Sequence, residues 1–153
     1  MSYDLANSLS VVQLTDPANT TGSITSATLD THLTIGSAML FASIGASADT
    51  LSSTVYWDLI IEDSSDDSTW TAVTATDRVS FADVAAGGIY QVVNTAALDD
   101  AAYAIGYTGP ERYVRIKATK TGTHTNGTVI SIYGVVQNIH KPTSGSDNGS
   151  ATG

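Results

Sequence analysis

Apolar and polar residues alternate with a period of two along most of the chain, and clusters of Gly, Asp, Asn and Ser interrupt the alternation. The segment Thr54–Glu62 shows this pattern most clearly. Trp57, Leu59 and Ile61 fall on one side of an extended chain there, so that side is predicted to be core. No segment keeps the 3.6-residue period of an amphipathic helix over three turns. The pattern therefore predicts an all-β protein.

Strand candidates recur about every ten residues without intervening helices, which is typical of an antiparallel β-sandwich or barrel. We expect a jelly roll of about eight strands. The predicted strands are Leu9–Leu14, Leu33–Ile35, Ala38–Ile44, Thr54–Glu62, Thr69–Val73, Val79–Phe81, Ile89–Val93, Tyr103–Tyr107, Arg112–Thr119 and Thr128–Ile139.

The residues between these strands predict how some of them are connected. Thr15–Asn19 has the turn chemistry of Asp, Pro and Asn and is expected to close the first strand. The polar run Asp63–Ser68 predicts a hairpin, and Arg112–Thr119 with Thr128–Ile139 is expected to form a long antiparallel pair. The Ala-rich segment Thr95–Ala102 is compatible with a strand or with a helical turn.

A length of 153 residues fits one domain, predicted here to span residues 9–140. Residues 1–8 are a candidate N-terminal arm, and the Ser/Gly-rich residues 141–153 are expected to form a flexible tail. The first residues lack the basic and apolar regions of a secretory signal, and no apolar run has the length of a membrane span. We therefore expect a soluble protein that is not exported by the usual route.

The charge balance argues against nucleic-acid and membrane partners. The formal net charge is -9, which repels phosphate backbones and anionic lipids. Cysteine is absent, so disulfides, thiol nucleophiles and Cys-ligated metals are excluded.

Candidate catalytic chemistry is sparse. His32, His124 and His140 lie in polar or terminal surroundings outside any known motif, and solvated loop positions are expected for them. Ser is abundant, but no nucleophile elbow or phosphate-binding loop accompanies it. The sequence therefore predicts a protein that is not an enzyme and has no cofactor.

An acidic run at Glu62–Asp67 is the best metal candidate, since clustered carboxylates can bind calcium. The alternative, which we favour, is a hairpin turn in which Asp and Ser accept hydrogen bonds from local backbone donors. No metal site is therefore predicted.

Aromatic and basic residues supply the remaining candidates. Trp57 and Trp70 are expected to be structural anchors rather than sugar-stacking platforms. Tyr residues are the better exposed aromatics. The candidates are Tyr103, Tyr107, Tyr113 and Tyr133. One local basic cluster is a candidate binding surface for an acidic partner, although pairing with acids across strands is the simpler interpretation. It comprises Arg112, Tyr113, Arg115 and Lys117.

Three segments, Ile61–Val73, Ile105–Ile116 and Thr121–Val136, together resemble the head decoration, or cement, proteins of tailed bacteriophages and phage-like particles. The resemblance extends from about Leu51 to Pro142. It implies a jelly-roll-like virion structural protein, made in the host cytoplasm, that sits on the capsid exterior. Such proteins often form trimers at three-fold positions and clamp neighbouring major capsid subunits. The implied partners are thus the major capsid protein and further copies in a homotrimer.

The run Arg112–Ile116 also resembles a strand of discoidin-like, galactose-binding jelly rolls. That resemblance implies a carbohydrate-binding module or a host adhesin. A tail-associated virion protein is a third alternative.

Overall fold

The computed structural model describes residues 9–33 and 38–137, which form an all-β sandwich of two antiparallel sheets. Short 3₁₀ turns lie at Thr31–Leu33, Thr76–Arg78 and Ala86–Gly88. The strands are β1 (Leu9–Thr20), β2 (Ile24–Thr25), β3 (Leu29–Asp30), β4 (Ala38–Ile44), β5 (Tyr56–Ser64), β6 (Thr71–Ala72), β7 (Val79–Ser80), β8 (Ile89–Val93), β9 (Ala101–Tyr107), β10 (Tyr113–Thr121) and β11 (Thr128–Gln137).

The strand order is that of the expected jelly roll. Sheet A has the order β1-β11-β4-β9-β7 and sheet B the order β2-β10-β5-β6, with β3 also pairing with β10 and β8 with β5. If β2 with β3 and β6 with β8 are each counted as one interrupted position, the two sheets have the double Greek-key order of eight principal strands. The higher strand count arises because these two positions are broken and short β7 is added at an edge.

The core lies between the two sheets, and its residues follow the predicted alternation. The buried side chains of sheet B include Trp57, Leu59 and Ile61 on β5, as the period-two pattern indicated. Sheet A contributes Leu40 and Ile132 from its central strands. Because stacked sheets lie about 10 Å apart, these two layers of side chains fill the interior.

The predicted pairing of the last two strands is wrong. β10 pairs with β5, β2 and β3 in sheet B, whereas β11 pairs with β1 and β4 in sheet A. The connection between them crosses the sandwich instead of forming a hairpin. This arrangement lets Ile116 of β10 and Ile132 of β11, both completely buried, contribute to the core from opposite sheets.

The first strand is longer than predicted. Thr15–Asn19 does not end it, since β1 continues to Thr20 with register shifts between Gln13 and Thr15 and between Thr15 and Ala18. β1 is an edge strand of sheet A, where a proline and bulges are tolerated. Turn-forming residues here therefore bend the strand without closing it.

Smaller corrections concern short segments. Leu33 belongs to a 3₁₀ turn rather than a strand, and the remainder of Leu33–Ile35 lies outside the described residues. The Thr69–Val73 strand shrinks to β6, which confirms the hairpin with β5. β9 begins at Ala101, inside the segment Thr95–Ala102. The helical turn considered for this segment is represented by a single hydrogen bond, from the Leu98 N–H group to the Thr95 carbonyl oxygen. The predicted arm, tail and His140 lie outside the described residues.

Candidate functional site

The predicted basic cluster lies on the outer surface of sheet B, and each of its cations contacts a carboxylate. Arg112 makes a two-pronged contact with Asp30, with Nη2 2.8 Å from Oδ2, and its guanidinium lies 4.9 Å from the Tyr113 ring centre. Hydrogen bonding to Arg112 lowers the pKa of Asp30 and raises that of the guanidinium. The exposed ion pair therefore joins β3 to the start of β10.

Glu62 on β5 is shared by the other two cations of the cluster. Arg115 lies directly opposite Glu62 in the strand register, and its Nη2 atom is 2.7 Å from Oε2. The Nζ atom of Lys117 is 3.3 Å from Oε1 of the same carboxylate. Arg115 also covers the Trp70 ring, with Cζ 4.0 Å from its centre. The cross-strand pairing considered from the sequence is thus present, and partner binding by these residues stays a prediction.

The acidic run forms a hydrogen-bonded turn. Oδ1 of Asp66 accepts hydrogen bonds from the backbone N–H groups of Ser68 at 2.9 Å and Thr69 at 2.7 Å, and from the Ser64 hydroxyl at 2.9 Å. This is the local side chain-to-backbone bonding favoured from the sequence. Within residues 9–33 and 38–137, no group of three or more His, Asp or Glu side chains is placed to hold a metal ion.

This turn predicts a specific acid sensitivity. The N–H groups of Thr69 and Ser68 hold the pKa of Asp66 far below its usual value of 3.8. A lowered folded-state pKa means that the carboxylate stabilises the fold above pH 3.8 and loses this contribution as the pH falls through the folded pKa. We expect Asp66→Ala to lower the Tm at pH 6, with a difference from the parent that shrinks below pH 3.8. Thermal unfolding across pH 2–7 measures this difference.

Asp83→Ala, at an exposed aspartate of another loop, is the matched control for the pH series. A Tm difference for Asp66→Ala that stays constant at all pH values would contradict the assigned role of its carboxylate.

His124 is not the solvated loop residue expected from the sequence. Its side chain is buried against Trp57, with ring centres 4.5 Å apart. Nε2 lies 3.2 Å from the Thr121 carbonyl oxygen and so donates a hydrogen bond to it, whereas Nδ1 has no hydrogen-bond partner and lies 3.9 Å from the Asp49 carboxylate. His124 is therefore buried by its contact with the Trp57 ring, although its neighbours in the sequence are polar. His124 thus closes one end of the core.

Asp49 organises the loop that carries His124. Its carboxylate accepts hydrogen bonds from the backbone N–H groups of Thr125, Asn126 and Gly127 at 2.8–3.1 Å. These donors lower the pKa of Asp49, the Asn126 N–H contributing most. These hydrogen bonds to Asp49 therefore stabilise the connection from β10 to β11.

Sheet A has an outer face of a different character, which we call the apolar face. Because Leu40 and Ala42 of β4 point into the core, Met39 and Phe41 between them point outward. Val135 of β11 is paired with Met39 and lies on the same side. Neither β4, β9, β11 nor the segment Leu9–Gln13 contains a charged residue, although the chain has a net charge of -9.

Exposed large hydrophobic residues concentrate on this face. Among the described residues there are five, and the register places Leu9, Val11 and Val129 on the apolar face, with Phe81 beside it. Val11 is 71% exposed. The whole outer face of sheet A spans about 19 Å across its strands and about 25 Å along them, and polar residues such as Gln13 and Ser43 share it with the apolar ones. The largest apolar patch on the surface of a monomer is often functional.

Phe81 follows β7 and has an unfavourable backbone conformation. Its φ angle is 68°, a left-handed value that costs a residue with a Cβ atom about 1–2 kcal/mol. The other non-glycine residues with positive φ in the described structure, Asp67 and Asp100, are of a type that tolerates it. The Phe81 side chain is 78% exposed, so core packing does not compensate for this strain. An exposed aromatic residue in a strained conformation is a functional candidate.

A groove of about 430 Å³ crosses the apolar face next to Phe81. Its lining comes from every strand of sheet A and includes Leu9, Val135, Met39, Gly106 and Ser80. A Cβ atom on Gly106 would collide with Ser80 Oγ and lie 3.2 Å from Cδ2 of Phe81. The absence of a side chain at Gly106 thus allows the Phe81 ring to lie over the sheet at the edge of the groove.

Some of the predicted aromatic candidates are buried in the fold and others are partly exposed. Trp57 is completely buried and cannot stack on a sugar, which confirms it as a structural anchor. Tyr107 is also buried, contrary to the expectation that it would be exposed, and its hydroxyl group donates a hydrogen bond to the buried Asp63 carboxylate at 2.7 Å. Tyr103, Tyr113 and Tyr133 are partly exposed.

Neither a scan against models of known protein families nor a search of curated proteins finds a match to this chain. In the part of the chain that the structure describes, no helix is long and apolar enough to cross a bilayer.

Proposed function

We propose that this protein is a virion structural protein that decorates the capsid exterior and stabilises the shell by bridging major capsid subunits. The observation that carries the proposal is the apolar face, on which Leu9, Val11 and Val129 are exposed beside the strained Phe81. Exposed apolar patches are found at surfaces that bind protein. The resemblance of Ile61–Val73, Ile105–Ile116 and Thr121–Val136 to phage head decoration proteins supplies the kind of partner.

The proposed mechanism involves no chemical transformation. The protein is made in the host cytoplasm, associates as a homotrimer and attaches to the assembled shell. Contacts across subunit boundaries must then break before the shell can come apart. Many identical weak contacts on a repeating lattice add through avidity, so a modest affinity for each site is sufficient.

The direct test measures binding to shells that lack the protein and the resistance of those shells to heat. Purified protein is expected to cosediment with undecorated capsids and to raise the temperature at which they release DNA. Equal heat and osmotic resistance with and without bound protein would overturn the stabilising role. Failure to cosediment, combined with retention of a sugar on a glycan array, would favour the carbohydrate-binding alternative.

A variant of the basic cluster tests whether β10 takes part in docking. Lys117→Gln removes one cation while Arg115 still neutralises Glu62, so the fold is expected to persist. If the cluster binds an acidic shell surface, cosedimentation weakens several-fold and becomes less salt-dependent. Unchanged binding would remove Lys117 from the proposed interface.

A further inference from the structure

We propose that the apolar face binds a second copy of this chain, with the Phe81 ring of one copy inserted in the groove of the next. The inference rests on the proposed function, which includes a homotrimer, and it assigns the contact between copies to this face. It identifies a second copy of the chain as the partner for the part of the face that contains the groove. It applies to the free protein as well as to the decorated shell.

Charge identifies a second copy as a suitable occupant. Two chains that each have a net charge of -9 repel one another wherever their acidic surfaces meet. β4, β9, β11 and the segment Leu9–Gln13 contain no charged residue, so two copies can approach over these strands without opposing carboxylates, whereas Asp16 lies further along β1. Sheet B differs, since Glu62, Arg115 and Lys117 lie on its outer surface.

Shape supports the same occupant, because the face contains both a projection and a recess. Phe81 is 78% exposed, and it forms one wall of the groove of about 430 Å³. An aromatic side chain that enters an apolar recess on its partner is the usual centre of a protein interface. Reciprocal insertion gives a two-fold pair, and successive insertion around a ring gives a trimer.

The backbone strain at Phe81 indicates a specific contact rather than non-specific hydrophobic association. In the free monomer, asparagine or aspartate would adopt a φ of 68° more readily than phenylalanine does. Phe81 is 78% exposed, so it contributes little packing to the fold of the single chain. Burial of the ring by another copy supplies the missing stabilisation.

The test is sedimentation equilibrium of the parent, Phe81→Asn and Phe81→Asp between 1 and 100 µM. The parent is expected to associate, and both variants are expected to associate at least tenfold more weakly. Their Tm, measured under conditions in which all proteins are monomeric, should equal or exceed that of the parent because the strain is relieved. Folding failure therefore cannot account for lost association.

Ala97→Asp is the matched control, because it adds the same charge as Phe81→Asp at an exposed turn before the opposite end of β9. This variant should associate as the parent does. A parent that sediments as a single chain at every concentration would overturn the proposal, as would association unaffected by Phe81→Asn.

Shell binding separates this inference from the proposed function. Self-association that depends on Phe81, in a protein that ignores capsids, would support the inference and contradict the decoration role. A protein that binds shells as a monomer would contradict the inference and the homotrimer of the proposed function, and would leave shell binding in place.

Discussion

Replacing Trp57 with alanine is expected to lower the free energy of unfolding by about 3–5 kcal/mol. The indole is completely buried between the sheets, and its Nε1–H donates a hydrogen bond to Oγ1 of Thr128 at 3.2 Å. The variant loses this bond, the contact with the His124 ring and the apolar packing of β5. Since the free energy of unfolding of a domain is typically about 5–15 kcal/mol, this loss is a large fraction of the total. Urea denaturation followed by circular dichroism measures it.

Trp70→Ala is the control for this experiment. Trp70 is only partly buried and packs beneath Arg115 at the outer surface of sheet B, so its loss is expected to cost less than about 2 kcal/mol. Equal losses for the two variants, or a loss below about 1 kcal/mol for Trp57→Ala, would contradict the assignment of Trp57 as the central anchor.

The inward and outward sides of the strands could be predicted from the sequence because side chains of a strand alternate strictly. Val114 and Ile116 of β10 are buried and Arg115 between them is not, as the period-two pattern indicated. The same pattern does not specify which strand lies beside which. Both β10 and β11 bury one side, and that requirement is met equally well by neighbours in one sheet or by strands facing each other across the core. The incorrect β10–β11 pairing reflects this ambiguity.

The candidate site was only partly visible in the sequence. The cations of the basic cluster were recognised, and their acidic partners Asp30 and Glu62 became identifiable only from the strand register. The apolar face was indicated in the sequence by the unbroken apolar run Ala38–Phe41, which lies in a strand without charged residues. The period-two pattern used to assign inward and outward sides does not distinguish such a run. Such a run is typical of a strand that is covered on both sides.

Phe81 could not be recognised from the sequence as a strained residue. Positive φ angles are anticipated at Gly, Asn and Asp, and a phenylalanine after a short strand predicts continued extension. The chain instead turns at Phe81, where Gly106 of the neighbouring strand leaves space for the ring. The feature that carries the further inference thus depends on a contact between residues far apart in sequence.

A second large effect is expected at the hydrogen bond between Asp63 and Tyr107, which joins sheet B to sheet A inside the core. Asp63 is buried, and its Oδ2 accepts the Tyr107 hydroxyl at 2.7 Å and lies 3.7 Å from Nη1 of Arg78. Asp63→Ala leaves the buried phenol without this acceptor. The free energy of unfolding is therefore expected to fall by about 3 kcal/mol.

A double-mutant cycle isolates the contribution of this bond. Asp63→Ala and Tyr107→Phe are each measured alone and together by urea denaturation, and a coupling energy of about 1.5–3 kcal/mol is expected for a hydrogen bond to a carboxylate. Tyr103→Phe is the control, because this tyrosine lies on the same strand but donates its hydroxyl hydrogen to the Leu98 carbonyl. Its coupling to Asp63→Ala should be near zero. A near-zero coupling for Tyr107 as well would show that the bond does not join the sheets energetically.

The same bond predicts a response to alkali. Burial raises the pKa of Tyr107, and the Asp63 carboxylate raises it further. A phenol with a raised folded-state pKa stabilises the fold below its unfolded pKa of about 10 and loses this contribution as the pH rises toward the folded value. Tyr107→Phe should therefore lose less stability than the parent between pH 9 and pH 11. Parallel pH profiles for the two proteins would show that Tyr107 ionises as freely in the folded chain as in the unfolded one.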